Sequence, residues 1–282
     1  MPSRARVPRL IACIILLHLL VFPSFVACFR SNPMLPLTTT SSPTSVMLSS
    51  NDSTTTHSET TWLENNPRSC ILQVGVSAGR LCGVANSHLL FHAAANNNNT
   101  ALVLAMSDLL VDLFRTSQSL DLNLVVAIYN KLELNRRKYP VDLCKGKAGK
   151  YTQYSQVTGV TVDNQSTTSA DQEHERITLV DFVAAIPRLV EDIQTFAEER
   201  DWTRFHTPRN IILALLGEVG ELAELVQWKG DEPKPLVLET KELDKLSQEL
   251  ADVSIYLLRL ASVTNVTSEL IENLDFVEKQ EI

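Results

Sequence analysis

The stretch TPRNIILALLGEVGELAELVQW, from Thr207 to Trp228, decides the fold class. Thr207 reads as a helix N-cap, and Pro208 suits the first helical position, where a missing N–H costs nothing. From there Ile211, Leu215, Val219, Leu222 and Val226 recur at helical spacing, which gives a helix with one apolar face. Gly230 and Pro233 stop it. Glu218 and Glu221, three apart, project from one side of that helix.

The same pattern extends outward. Leu243, Leu246, Leu250, Val253, Leu257 and Leu260 mark a helix over 241–263 that carries Glu249 and Asp252, again three apart. Upstream, Val180, Val183, Ile186, Leu189, Val190, Ile193 and Phe196 form an apolar stripe interrupted by Pro187. Further back, Leu102, Met106, Leu109, Leu110 and Leu113 fall at helix spacing, and a second helical stretch runs from Asn123 to Lys138 before Pro140. No alternating strand pattern is present, so the expected class is an all-α helical bundle. Residues 62–99 read as irregular and end in the polar tract Asn96 to Asn99, while 141–176 read as a tail and a linker.

The chain has 282 residues, 44% of them hydrophobic, which permits one or two ordinary domains. A net charge of -8 argues against a general nucleic-acid binder, because no basic stripe is available to displace phosphate counterions. Arg4, Arg6 and Arg9 precede an apolar run from Leu10 to Phe22, with small residues at Val26, Ala27 and Cys28. That is the layout of a signal peptide, and the run is short for a membrane span. A signal anchor is the alternative. Residues 29–61 are rich in Ser, Thr and Pro, a composition expected to be disordered. The leader resembles a bipartite plastid-targeting leader, with secretion behind a disordered stalk as the simpler alternative. Cys70, Cys82 and Cys144 suggest neither a disulfide framework nor a zinc site.

The four carboxylates carry the chemistry. Packed antiparallel, the two helices would bring Glu218, Glu221, Glu249 and Asp252 together, a cluster that repels itself unless something neutralises it. Mg²⁺ suits such a site because it takes oxygen ligands, keeps waters and accepts substrate phosphates. The plain alternative is a solvated acidic face. Against it, each pair adjoins the apolar stripe, and Gly217 and Gly220 sit inside the helix, where each costs up to about 1 kcal/mol relative to Ala. Trp202, His206, Trp228 and Tyr256 lie near the pairs in the chain.

Arg200-Asp201-Trp202, Phe205-His206, Pro208-Arg209-Asn210, the run Gly217 to Leu225, Gln227-Trp228 and Glu249-Leu250-Ala251-Asp252-Val253 with Ile255-Tyr256-Leu257 closely resemble the eukaryotic dCTP pyrophosphatases, members of the MazG-like all-α superfamily. The likeness covers about residues 177–263. It implies metal ligation by Glu218, Glu221, Glu249 and Asp252, and a base pocket of Trp202, His206, Trp228 and Tyr256. It further implies cleavage of a nucleoside triphosphate to the monophosphate and pyrophosphate with Mg²⁺, serving to clean a nucleotide pool. Aromatic rings stacking on a pyrimidine give a physical reason for Trp and Tyr. A core or surface histidine is the alternative for His206. The resemblance also implies a homo-oligomer.

The ending of that family stands upstream of its beginning. Lys131, Asn135-Arg136-Arg137-Lys138-Tyr139-Pro140 and Ala148-Gly149-Lys150-Tyr151 resemble the family's closing segment. The match reaches back to Asp108, in the place of a metal-ligand aspartate, but Ala105 stands at the partner glutamate position. Downstream, Asp275 holds the lysine's place. The expected partition is a signal peptide at 1–28, a leader and linker at 29–99, a displaced C-terminal half at 100–151, a linker at 152–176 and a metal-binding half at 177–282. In a permuted domain, Lys131, Asn135 and Arg137 would bind the triphosphate beside the downstream metal site. A duplication remnant, a misassembled gene and a tail supplied by a neighbouring chain are alternatives. The non-enzymatic rival is a catalytically weak paralogue that binds nucleotide or serves as an oligomerisation partner.

Overall fold

The computed structural model describes residues 66–91, 99–147, 176–230 and 236–278. The signal-peptide and leader expectations, Gly149-Lys150-Tyr151, most of the 152–176 linker and Pro233 lie outside the described residues. Every described residue belongs to one compact unit. Among the described residues the regular structure is entirely helical, as the periodicity requires. No helix among them is long and apolar enough to cross a membrane.

The helices in chain order are α1 (Pro67–Phe91), α2 (Thr100–Ser119), α3 (Leu124–Lys138), the single turn α4 (Val141–Cys144), α5 (Leu179–Glu199), α6 (Pro208–Glu224), α7 (Thr240–Val263) and α8 (Thr267–Glu278). Their ends follow local chemistry. Thr207 accepts a hydrogen bond from the Asn210 N–H at 3.3 Å with Pro208 in the first turn. Asn123 caps α3 through the Val126 N–H, and Thr178 and Asp181 form a reciprocal capping box on α5. Between α7 and α8 the chain turns at Asn265, with φ at 55°. α5 continues through Pro187, although proline removes a backbone donor and costs about 3 kcal/mol in a helix interior. Burial of Phe182, Val183, Ile186, Leu189 and Ile193 opposes that cost, each fully buried large side chain contributing roughly 1.5–3 kcal/mol.

Residues 62–99, expected to be irregular, instead contain the 25-residue helix α1. Gly75, Gly79 and Gly83 depress its intrinsic propensity. Tertiary packing overrides this, since Ile71, Val74, Ala78, Leu81 and Ala85 form a buried stripe. The expected tail also has order. α4 buries Cys144, and the Gly146 N–H donates to the Arg200 carbonyl at 2.8 Å. Cys70, Cys82 and Cys144 are free thiols.

Two hairpins dominate the packing, α1 against α2 and α6 against α7. They meet through α1 on α6 and α2 on α7. α3 packs on α7 and α5, while α8 packs on α2 and α5. The upstream and downstream segments therefore share one hydrophobic core.

Candidate active site

The α6–α7 pairing brings the acidic residues together. One carboxylate oxygen each from Glu218, Glu221 and Glu249 lies within 4.8 Å of the others. Asp252 belongs to the same neighbourhood and carries a partner from upstream. The Lys131 Nζ on α3 stands 2.6 Å from Asp252 Oδ2, with side-chain exposures of 4% and 15%. Asn135, one turn further along α3, hydrogen-bonds the same carboxylate. Lys138 lies close enough to act electrostatically on Asp252, Glu249 and Glu218.

Burial and mutual repulsion dominate the electrostatics. Desolvation, followed by the charges of Asp252, Glu221 and Glu249, pushes the Glu218 carboxyl up to about 8, against the opposing pull of Lys131. Desolvation raises Glu249 in the same direction, again opposed by Lys131. Asp252 is raised by desolvation, with Lys131, Lys138 and Asn135 pulling back. Desolvation and Lys131 lower Lys138. Two ammonium groups thus offset only part of the charge of four carboxylates.

The residues present fit a divalent cation. The donors are all hard carboxylate oxygens, and those of Glu218, Glu221 and Glu249 lie within 4.8 Å of one another, against the ~4.2 Å between opposite ligands of one Mg²⁺ held at about 2.1 Å each. Such an ion would oppose both the burial cost and the carboxylate repulsion that raise Glu218.

The expected base-pocket residues divide. Tyr256 is half-buried one turn beyond Asp252, and desolvation, Glu218 and Asp252 raise its hydroxyl pKa. His206 accepts a hydrogen bond at Nδ1 from the Arg259 Nε at 3.1 Å. Burial and the Arg259 charge lower His206 to about 4, so its ring is neutral. Trp202 packs edge-on to Tyr139 at 5.1 Å and to Phe196 at 5.8 Å, and its Nε1 donates to the Cys144 carbonyl. It ties the upstream tail to the downstream loop. Trp228 lies past the end of α6 and is 86% exposed, so it is not drawn into a pocket among the described residues. Arg137 is also turned outward. Its Nε pairs with Glu133 at 3.2 Å one turn back along the exposed side of α3.

Three contributors escaped sequence reasoning. Lys138 stood inside the string from Asn135 to Pro140, but its inward direction depends on how α3 meets α7. Arg259 is almost wholly buried and holds His206, Gln194 and Ser262. Its position three residues after Tyr256 was the available signal. Arg200, equally buried, donates to the Tyr139 carbonyl at 2.8 Å and lies over the Phe196 ring at 3.8 Å.

No family model matches the chain, and no solved structure matches it. Curated relatives do. The chain is 60% identical over 72 residues to dCTP pyrophosphatase 1 of Rattus norvegicus, a match covering 25% of this chain and 42% of that protein. It is 48% identical over 110 residues to dCTP pyrophosphatase 1 of Mus musculus, covering 35% of this chain and 65% of the relative. The protein of the same name from Homo sapiens is 60% identical over 68 residues, covering 24% and 40%. The chain thus spans between about two fifths and just under two thirds of the length of these relatives. These partial-length matches, at 48 to 60% identity, are to proteins named dCTP pyrophosphatase 1.

Proposed function

We propose that the protein is a MazG-like nucleoside triphosphate pyrophosphatase that hydrolyses dCTP, or a related deoxynucleoside triphosphate, to the monophosphate and pyrophosphate. The observation that carries this reading is the convergence of Glu218, Glu221, Glu249 and Asp252 with Lys131 and Asn135, from opposite ends of the expected module. Relatives bearing the dCTP pyrophosphatase name support the substrate class.

In the proposed reaction, water attacks the α-phosphorus and the bond from that phosphorus to the bridging oxygen breaks. The leaving oxygen remains with pyrophosphate. Glu218, Glu221, Glu249 and Asp252 would hold Mg²⁺, which when bound polarises phosphoryl oxygens and lowers the pKa of its water. Lys131 and Asn135 orient Asp252, and with Lys138 they present positive charge and donors to the phosphates. Tyr256 supplies a ring beside the carboxylates. His206, held neutral by burial and Arg259, offers Nε2 for recognition of the base.

The test is pyrophosphate release from a panel of deoxynucleoside triphosphates with Mg²⁺, for wild type and Glu249→Ala. Release by wild type with dCTP preferred, lost in the variant, is expected. Absence of release from every nucleotide would remove the enzyme reading. The weak-paralogue reading is favoured by one pair of observations, the outward Arg137 and the exposed Trp228. A homo-oligomer belongs to the same proposal and is checked by light scattering. For the leader we propose entry into the secretory route and onward passage to a plastid, tested by a fluorescent fusion of residues 1–61. Secretion of that fusion would reject plastid delivery.

A further inference from the structure

The two hairpins repeat one another residue by residue. Pro67-Arg68 and Ile71-Leu72 of α1 align with Pro208-Arg209 and Ile212-Leu213 of α6, and Gly79 and Leu81 align with Gly220 and Leu222 at the same offset. The buried positions coincide: Ile71 with Ile212, Val74 with Leu215, Leu81 with Leu222 and Ala85 with Val226. In α2 and α7 the buried Leu102, Met106, Leu109 and Leu113 align with Leu246, Leu250, Val253 and Leu257. Arg115 aligns with Arg259, and both second helices end in a turn with a left-handed residue, Asp121 at φ 54° and Asn265 at φ 55°. The packing repeats as well. α3 leaves its own hairpin to lie on α7, and α8 lies on α2.

On this alignment the positions of Glu218, Glu221, Glu249 and Asp252 are held in the first copy by Ser77, Arg80, Ala105 and Asp108. These residues still make a cleft. A cavity of about 230 Å³ is lined by Ser77, Arg80, Ser107, Asp108, Asp112 and Arg115 among others. Within it the Arg80 Nη1 pairs with Asp108 Oδ2 at 2.9 Å, and Ser77 donates to Asp112. The Arg115 guanidinium lies 4.0 Å from Asp112. The buried hydroxyl of Ser107, which aligns with Ala251, has no hydrogen-bond partner. Two guanidinium groups thus balance two carboxylates here. Between α6 and α7 two ammonium groups face four carboxylates.

We propose that six of the described helices, α1–α3 and α6–α8, are two copies of one three-helix unit fused in a single chain. Each copy packs its third helix on the other's second helix, and the Arg80 guanidinium fills the place that a divalent cation takes between α6 and α7. The first copy therefore has a cleft of the same build that needs no metal, and its role in the reaction is to supply Lys131 and Asn135. This inference rests on the reading of the α6–α7 cluster as the metal site.

Mn²⁺ binding to the full chain, counted by the electron paramagnetic resonance of free Mn²⁺, tests it. Wild type is compared with the triple variant Ser77→Glu, Arg80→Glu, Ala105→Glu. The variant is expected to bind additional Mn²⁺ per chain, because the first cleft then carries the second cleft's ligand set. An unchanged count in a folded variant overturns the proposal. If wild type binds no Mn²⁺ and the variant does, the metal reading of α6–α7 fails while the repeat stands. Should the triple variant lose its helical circular dichroism, Arg80→Glu alone is used. Its melting temperature should rise with Mn²⁺ by more than wild type's, and an equal rise overturns the proposal.

Discussion

Lys131 on α3 places its ammonium 2.6 Å from the Asp252 carboxylate on α7, and both side chains are largely buried. Between them in the chain lie α4, α5 and α6, so the pair is a purely tertiary product of how α3 crosses to the second hairpin. It joins the basic segment to the acidic cluster.

That pair should be measurable in stability. Removing one partner of a buried ion pair typically costs about 3–5 kcal/mol, because the remaining charge is left uncompensated. Lys131→Met is therefore expected to lower the urea midpoint sharply in a chelator. Mg²⁺ should restore part of the loss by neutralising Asp252. A midpoint equal to wild type in chelator would show that the pair is not formed in solution.

Metal-free stability should depend on pH in a defined window. Burial and neighbouring carboxylates raise Glu218 from 4.5 to about 8, so the folded chain binds that proton more tightly than the unfolded chain. Its contribution is full below about 4.5 and is lost as pH rises to about 8. The raised Glu249 and Asp252 act with the same sign. Denaturation in chelator from pH 5 to 9 should show this decline, and saturating Mg²⁺ should flatten it. Parallel curves with and without Mg²⁺ would contradict the assigned ligands.

His206 provides an independent reading. Its folded pKa of about 4 lies below the ordinary 6.5, so its neutral-form stabilisation is present above 6.5 and is lost as pH falls toward 4. In a proton NMR titration its ring resonances should stay unshifted from pH 8 to 5.5. Ordinary titration near 6.5 would contradict the burial of the ring beside Arg259. Arg259→Met should move the His206 pKa upward, since the opposing charge is gone.

Much of this was legible in the residues. Thr207-Pro208 and the stripe through Ile211, Leu215 and Leu222 specify α6 locally, and Glu218 and Glu221 inherit their common side from helical geometry. The 241–263 helix follows from the same reasoning and differs by one residue from α7. α1 was hidden because its three interior glycines weaken the local signal, although its buried stripe was written at helical spacing. The outward turn of Arg137 and the exposure of Trp228 depend on α3 rotation and on where α6 stops. Neither is encoded in a spacing. Joining of the displaced halves was open on sequence alone, because crossing of α3 to α7 is a long-range packing outcome.

The most direct measurement is kcat/KM for pyrophosphate release from dCTP with Mg²⁺, compared between wild type and Lys131→Met under conditions where both are folded. Loss of a charged donor aimed at developing phosphate charge typically costs about 10²–10³-fold. A loss of that order is the expected result. An unchanged kcat/KM would contradict completion of the downstream acidic cleft by the upstream helix.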